Sequence, residues 1–377
     1  MEKHLHIISL TVPFPVDYGG VFDLFYKLPA LQDQGVHIHL HCFEDGQNEQ
    51  EELNKYCDSV NYYKRITGHK GLTLSLPYIV SSRKNETLLE NLLADDHPIL
   101  MEGIHSTYIL NDARFADRKK YVRIHNVEFQ YYRQLFHSAS SLAHKLYYWW
   151  ESNQLGKYER SIVTKATAFW AVSEKDTAFF RNELKCDRIE FLPVYLPAEW
   201  QSNNLEGKGN YCLYQGDLSV DTNEKAVIWL LEKVFNTLEL PLVIAGKNPS
   251  KKIERLVHAQ EYTCLVANPS KKEMQDMIAK AHIHILPSFT NTGIKLKLLN
   301  ALFNGRYVIT NNAAVQGTEL AQICTIANDA SSFRNKISDL FSKPFSTEII
   351  EQRRKVLNSM FSNAANAIQQ VKWIWGE

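Results

Sequence analysis

The sequence predicts an α/β protein built from two Rossmann-like, doubly wound domains facing a cleft. Three observations carry this expectation. Strand-like runs alternate with helical periodicity, a glycine-rich turn joins the first such pair, and the alternation restarts after residue 200. A chain of 377 residues is also too long for one ordinary domain. The expected division is a first domain over residues 1–200, a second over 201–360, and a terminal helix over 361–377 that packs back on the first domain.

Each element has its own reason. His4–Leu10 is a short apolar strand, and Thr11–Gly20 is a loop with two prolines and a Gly-Gly pair. Phe22, Phe25, Leu28 and Leu31 recur at helical spacing over Val21–Gln34, Gly35 stops the helix, and Val36–Phe43 is the next strand. Later strands are expected at Tyr78–Val80, Ile99–Met101, Lys120–Ile124 and Ala168–Val172. The seam is Phe191–Gly209, which holds two prolines and a polar run from Gln201. Beyond it, strands at Tyr211–Tyr214, Leu242–Ala245, Cys264–Val266, His282–Leu286, Tyr307–Thr310 and Ile323–Ile326 alternate with helices. Those helices lie near Glu224–Phe235, Lys251–His258, Lys271–Lys280, Ile294–Phe303 and Ser331–Phe341. Helical segments at Thr347–Ser362 and Asn363–Trp375 close the chain.

Composition narrows the function classes. Hydrophobic residues at 45% and charged residues at 22% exclude disorder. Lys+Arg 42 against Asp+Glu 42 gives a formal charge of zero, which argues against nucleic-acid binding through a general basic field. The six cysteines are scattered with no C-x-x-C, so neither a disulfide framework nor a thiolate zinc site is indicated. No apolar run reaches about 18–20 residues, and the start carries no leader pattern, so a cytoplasmic chain is expected. Gly-x-Ser-x-Gly and the Walker loop are both absent.

The segment Leu286–Arg306 carries the strongest functional signal. A strand ends at Leu286, a polar loop follows, and a helix is expected to begin near Gly293. Free N–H groups at a helix start make an anion site, and glycine lets a ligand approach closely. Lys295 and Lys297 fall in the first turn, where positive charge opposes the helix dipole. That placement suits an anionic partner such as a diphosphate, or else a solvated helix face.

This stretch resembles the nucleotide-sugar motif of GT-B glycosyltransferases, especially the retaining family four, also called glycosyl transferases group 1. The similarity runs along most of the chain. Pro13-Phe-Pro-Val-Asp-Tyr-Gly-Gly20 resembles that family's first loop, and Val122-Arg-Ile-His-Asn-Val-Glu128 its "R-x-H-N-x-E" segment. Tyr211-Cys-Leu-Tyr-Gln-Gly-Asp-Leu218 is similar to its first donor-domain strand and turn, and Val243-Ile-Ala-Gly-Lys247 to a following strand. The resemblance implies transfer of a sugar from a nucleotide diphosphate sugar to a saccharide or lipid-linked acceptor, with retention and without a metal or other cofactor. His125 and Lys295 would serve the chemistry. Gly19, Gly20, Arg123, Asn126, Glu128, Gly216, Lys247, Asn268, Thr292, Gly293, Ile294 and Asn300 would hold substrates.

Two departures bear on this. The family's pair of glutamates around the helix start reads Thr292 and Asn300, and Asn300 offers one carbonyl acceptor in place of an ionised carboxylate. The Arg and Lys that clamp the diphosphate after the donor-domain glycine are replaced by Asp217 and Asn223. These changes favour the rival reading of a non-catalytic GT-B scaffold, while the Gly-Gly loop, His125 and Lys295 favour an enzyme.

Other patterns read as structural. His37, His39 and His41 share one strand face, but three ligands in a row diverge by about 7 Å per two residues, which disfavours a metal. His282 and His284 repeat the pattern. The aromatic and basic stretch Tyr131–Lys165 fits either an interfacial membrane helix or packing inside the first domain. Glu151 and Glu159 dilute its basic face, which favours packing and leaves at most weak peripheral contact with the inner face of a membrane.

Overall fold

The computed structural model describes residues 2–16, 19–44, 46, 49–139, 141–200, 205–290 and 293–376. The chain divides into two compact units. The first is Met1–Pro197 with Thr292–Ile294 and Phe361–Glu377, and the second is Ala198–Asn291 with Lys295–Met360.

The first unit is built on a seven-stranded parallel sheet in the order β3-β2-β1-β4-β5-β6-β7. The strands are β1 (Lys3–Ser9), β2 (Val36–Glu44), β3 (Ser59–Lys64), β4 (Ile99–Glu102), β5 (Lys120–Ile124), β6 (Ala168–Ala171) and β7 (Ile189–Phe191). The order reverses between β1 and β4, the doubly wound arrangement, and β4 and β5 are buried along their whole length. The helix Gly19–Gln32 follows β1 and buries Val21, Leu24, Leu28 and Leu31, and Gly35 at φ +72° ends the connection to β2. The terminal helix Asn363–Trp375 belongs to this unit, where Trp373 stacks on Trp170 at 5.6 Å and Trp170 on Tyr121 at 4.8 Å.

The strand expected at Tyr78–Val80 is instead a short helix, Tyr78–Ser81. Its first amides are capped from a distance: Glu151 accepts hydrogen bonds from the N–H groups of Tyr78 and Ile79, both at 3.0 Å. Glu159 does the same for the helix Glu128–Ser138, accepting from Glu128 N at 3.0 Å and Phe129 N at 3.1 Å. Both glutamates lie on the inner face of the helix Leu142–Ile162 and are fully buried. They complete helix N-termini, whose orphan N–H groups and positive dipole ends attract a carboxylate. The expectation that they dilute an exposed basic face is therefore corrected.

The second unit holds a six-stranded parallel sheet in the order β10-β9-β8-β11-β12-β13. Its strands are β8 (Cys212–Gln215), β9 (Leu242–Gly246), β10 (Thr263–Ala267), β11 (Ile283–Ile285), β12 (Tyr307–Thr310) and β13 (Thr325–Ile326). The order reverses between β8 and β11, so the ligand end of this sheet is formed by the turn after Gln215 and the loop after β11. The following helix runs Leu296–Asn304, with Lys295 at its N-cap. It does not begin near Gly293, because Gly293 sits at φ +60°, a left-handed conformation that a right-handed helix cannot include.

Candidate active site

In the first unit the reversal between β1 and β4 gathers charge. Asp23 and Lys27 lie one turn apart on the helix opened by Gly19 and Gly20, Glu102 ends β4, and Arg123 is in β5. Arg123 is fully buried and grips Asp23 through Nε (2.7 Å to Oδ2) and Nη2 (3.0 Å to Oδ1). It also donates to the carbonyls of Leu192 at 2.7 Å and Pro193 at 3.0 Å. Lys27 bridges Asp23 at 3.2 Å and Glu102, and Glu102 Oε2 lies 3.1 Å from His125 Nε2. Burial alone would raise both carboxyls, but Arg123 and Lys27 hold Asp23, and Lys27 and His125 hold Glu102, below the usual carboxylate range. Two anions and two cations thus cancel, and His125 stands at the edge with its side chain 13% exposed.

Asp23, Glu102 and His125 have ligand atoms close enough to share a cation. Both carboxylates are already committed to Lys27 and Arg123, so the donor set does not fit a resident metal. The imidazoles of β2 are likewise occupied. His39 meets His4 at 3.1 Å and Ser59 at 2.9 Å, while His41 meets His6 at 2.9 Å and Tyr63 at 2.8 Å. His282 and His284 contact the carbonyls of Leu340 and Ile278, both at 3.1 Å.

Several expected residues come together near His125. Asn126 hydrogen-bonds Glu128, and Gly293 packs so closely on Asn126 that a Cβ there would overlap its side-chain oxygen. Ile294 accompanies Gly293 in this unit, and Thr292 lies outside the described residues, as do Asp17 and Tyr18 of the first loop. Arg123 and Glu128 are corrected from substrate contacts to interior groups. Arg123 is 0% exposed and spends its N–H groups within the protein, and Glu128 is 4% exposed with burial pushing its carboxyl up to about 8.

The second unit assembles differently. Lys297, in the first turn of the helix Leu296–Asn304, donates to Asn223 Oδ1 at 2.7 Å and to Tyr214 OH at 3.0 Å. Its ammonium also stands 4.8 Å from the centre of the Tyr214 ring. Tyr214 is the penultimate residue of β8, and Asn223 is tied to the turn after it by a bond to the Asp217 carbonyl at 2.8 Å. Gly216 opens that turn, and its carbonyl lies so near Gly246 that any side chain at 246 would overlap it. Among the described residues no carboxylate pairs with Lys297, and burial followed by the nearby Lys295 lowers its amine to about 7. Lys295 reaches the Thr290 hydroxyl at 3.2 Å.

The remaining expected residues are spread around this end. Lys247 is exposed at the end of β9, and Asn268, at φ +52°, accepts from the Asn248 amide at 2.8 Å. Asn300 is turned to its own helix, its Oδ1 accepting from Asn304 Nδ2 at 2.8 Å. Sequence reasoning placed Lys297 in the first turn without singling it out, because its partners Tyr214 and Asn223 are distant in the chain. It also missed Asp23, Lys27 and Glu102, although the four-residue spacing of Asp23 and Lys27 on a helix was a usable signal.

Comparison with known proteins bears on the fold. Residues 209–343 match the family model described as "Glycosyl transferases group 1". The chain is 26% identical over 355 residues to an "Uncharacterized 44.6 kDa protein in cps region" of Klebsiella pneumoniae, covering 88% of this chain and 89% of that one. Among solved structures it is similar to a glycosyltransferase from Rickettsia africae, with a TM-score of 0.68, 15% identity, and 98% and 97% of the two chains covered. A variant of S. aureus TarM, solved with Fondaparinux, alpha-GlcNAc-glycerol and UDP, gives a TM-score of 0.70 at 11% identity over 100% of both chains. The chain therefore has the GT-B fold, and its residues 209–343 are similar to the group 1 glycosyltransferases.

Proposed function

We propose that the protein moves a sugar from a nucleotide diphosphate sugar to a saccharide or lipid-linked saccharide, with retention of configuration and without a divalent metal. The observation that carries this reading is Lys297, a half-buried ammonium that no carboxylate among the described residues pairs with, at the ligand end of the matched domain. A buried cation is costly unless an anion joins it, and a diphosphate supplies that charge. As the bond from the anomeric carbon to the phosphate oxygen breaks, negative charge grows on the diphosphate. Lys297, Lys295 and Lys247 stabilise it there in place of a metal. His125 and the Gly19–Gly20 turn of the first unit serve the transferring sugar and the acceptor, and Glu102 fixes the His125 ring. TarM crystallised with UDP supports a uridine donor as the first to test.

Thermal unfolding with UDP, GDP and ADP, each with and without magnesium, tests the reading. Ligand at 100 times its dissociation constant stabilises by about 2.7 kcal/mol, a shift of a few degrees. One nucleotide is expected to raise the midpoint equally with and without magnesium. No shift with any of them, in a protein that melts cooperatively, would favour the non-catalytic scaffold, a reading that the internal pairing of Asn300 with Asn304 supports.

A further inference from the structure

We infer that the paired helices Glu128–Ser138 and Leu142–Ile162 form a docking surface for an anionic lipid bilayer. The starting point is the fate of the two glutamates. Within residues 129–165 the only acidic side chains are Glu151 and Glu159, and both are buried as caps on the N-termini of neighbouring helices. Every charged side chain this stretch presents to solvent is therefore basic. Arg133, Lys157, Arg160 and Lys165 are exposed, and Lys145 is half-buried.

Apolar groups accompany these charges. Leu142 is 73% exposed, Leu146 61% and Trp149 56%, and their spacing of four and three places them on one stripe of the helix. The same stripe continues through Asn153 to Lys157 and Arg160, opposite the face that carries Glu151, Leu155 and Glu159. Gln154 holds the carbonyl of Leu74 at 2.7 Å, which keeps a fourth apolar side chain, 90% exposed, beside this helix. The segment around it, residues 60–85, contains no acidic residue either.

A cavity of about 370 Å³ opens along the stripe, lined by Arg133, Phe136, His137, Trp149, Ser152 and Asn153. It joins a guanidinium and an indole in the way that a lipid phosphate above an acyl chain requires. Leucine and tryptophan enter the acyl boundary while lysine and arginine meet headgroup phosphates, and the two terms reinforce each other. A protein partner would equally cover the leucines, but it would not call for a field of one sign spread over two helices and an adjoining loop. No helix among the described residues is long and apolar enough to cross a membrane, so this contact is peripheral. The inference stands apart from donor use, since it concerns a surface of the first unit alone.

The test is co-sedimentation of the full chain with vesicles of phosphatidylglycerol and phosphatidylcholine, against vesicles of phosphatidylcholine only. The expected result is at least tenfold tighter binding to the anionic vesicles, weakened by added salt. Replacing Arg133, Lys145 and Lys157 together by Gln is expected to lower vesicle affinity about a hundredfold, since each basic residue near an anionic surface contributes roughly fivefold. Leu146→Ser with Trp149→Ser is expected to weaken binding while leaving salt sensitivity. Melting temperature and nucleotide binding, measured on the same variants, separate loss of docking from loss of fold or of donor use. Equal binding to both vesicle types would overturn the inference. So would vesicle binding unchanged in the folded triple variant. A dimer that forms without lipid and is lost in the Leu146/Trp149 variant would overturn it too, assigning the face to a second copy.

Discussion

Both units place a lysine at the ligand end of their sheets, Lys27 fully buried and Lys297 half-buried, and the two are treated in opposite ways. Lys27 in the first unit faces Asp23 and Glu102, with Arg123 completing a cluster of two anions and two cations. Lys297 in the second unit meets a phenol and an amide oxygen, and among the described residues no carboxylate. A closed set of charges is self-sufficient and rigidifies its surroundings. An open one is complete only when something negative arrives. The contrast separates a cluster whose charges are internally balanced from a cation whose described partners are neutral.

The largest expected effect comes from opening the closed cluster. Asp23→Ala strands Arg123 and Lys27 in the interior and is expected to destabilise the first unit by about 3–5 kcal/mol in denaturant unfolding. A cost below about 1 kcal/mol would erase the distinction between the two lysines.

Acid sharpens the picture of the first unit as internally paired. Burial lowers His6 from 6.5 to about 4 and His41 to about 3, and both are neutral when folded near pH 7. As pH falls below 6.5 the unfolded chain takes up these protons before the folded one. Stability is thus expected to fall by about 1.4 kcal/mol per pH unit for each imidazole. The loss continues to about pH 4 for His6 and about pH 3 for His41. Urea midpoints between pH 7 and 5 read this slope, and His41→Asn should flatten it.

In the second unit the expected effect moves from stability to binding. Lys297→Met removes an uncompensated charge, so stability should change by less than about 1 kcal/mol or improve. Nucleoside diphosphate affinity by calorimetry should fall about 10–100-fold, the worth of one charge-assisted bond. The smallest effect is in pH. The amine of Lys297 lies at about 7 before a ligand binds, so affinity should decline as pH rises above 7, by up to about tenfold per unit. Lys297→Arg stays charged and should lose that decline.

Much of the fold was legible because it rests on local pattern. The strands Lys120–Ile124 and Tyr307–Thr310 and the helices Lys251–His258 and Lys271–Lys280 occur at the residues that periodicity predicts. Tyr78–Val80 failed because its apolar run carries no period, and a helix was selected by Glu151, a partner 73 residues away. Gly293 failed as a helix start because its left-handed backbone is a property of the loop, which composition does not encode. Among site residues, the strand end and loop that carry His125, Asn126 and Glu128 were legible as a motif. Which of them stays accessible was not, because burial of Arg123 and Glu128 depends on packing from several elements at once.

Two α/β units, the glycine-rich turns at the ends of their sheets, and the lysines of the Leu286–Arg306 segment are all legible along the chain. These follow from periodicity and from residue chemistry that neighbours in the chain already specify. Which charges cancel is set by packing in three dimensions. Lys27, on a helix, is closed by Glu102 at the end of a strand, Lys297 meets Tyr214 and Asn223 from a separate stretch, and Glu151 and Glu159 are withdrawn from the surface by helix ends they do not adjoin in sequence. An ion pair depends on distance and on local dielectric, and both are set by the fold rather than by position along the chain.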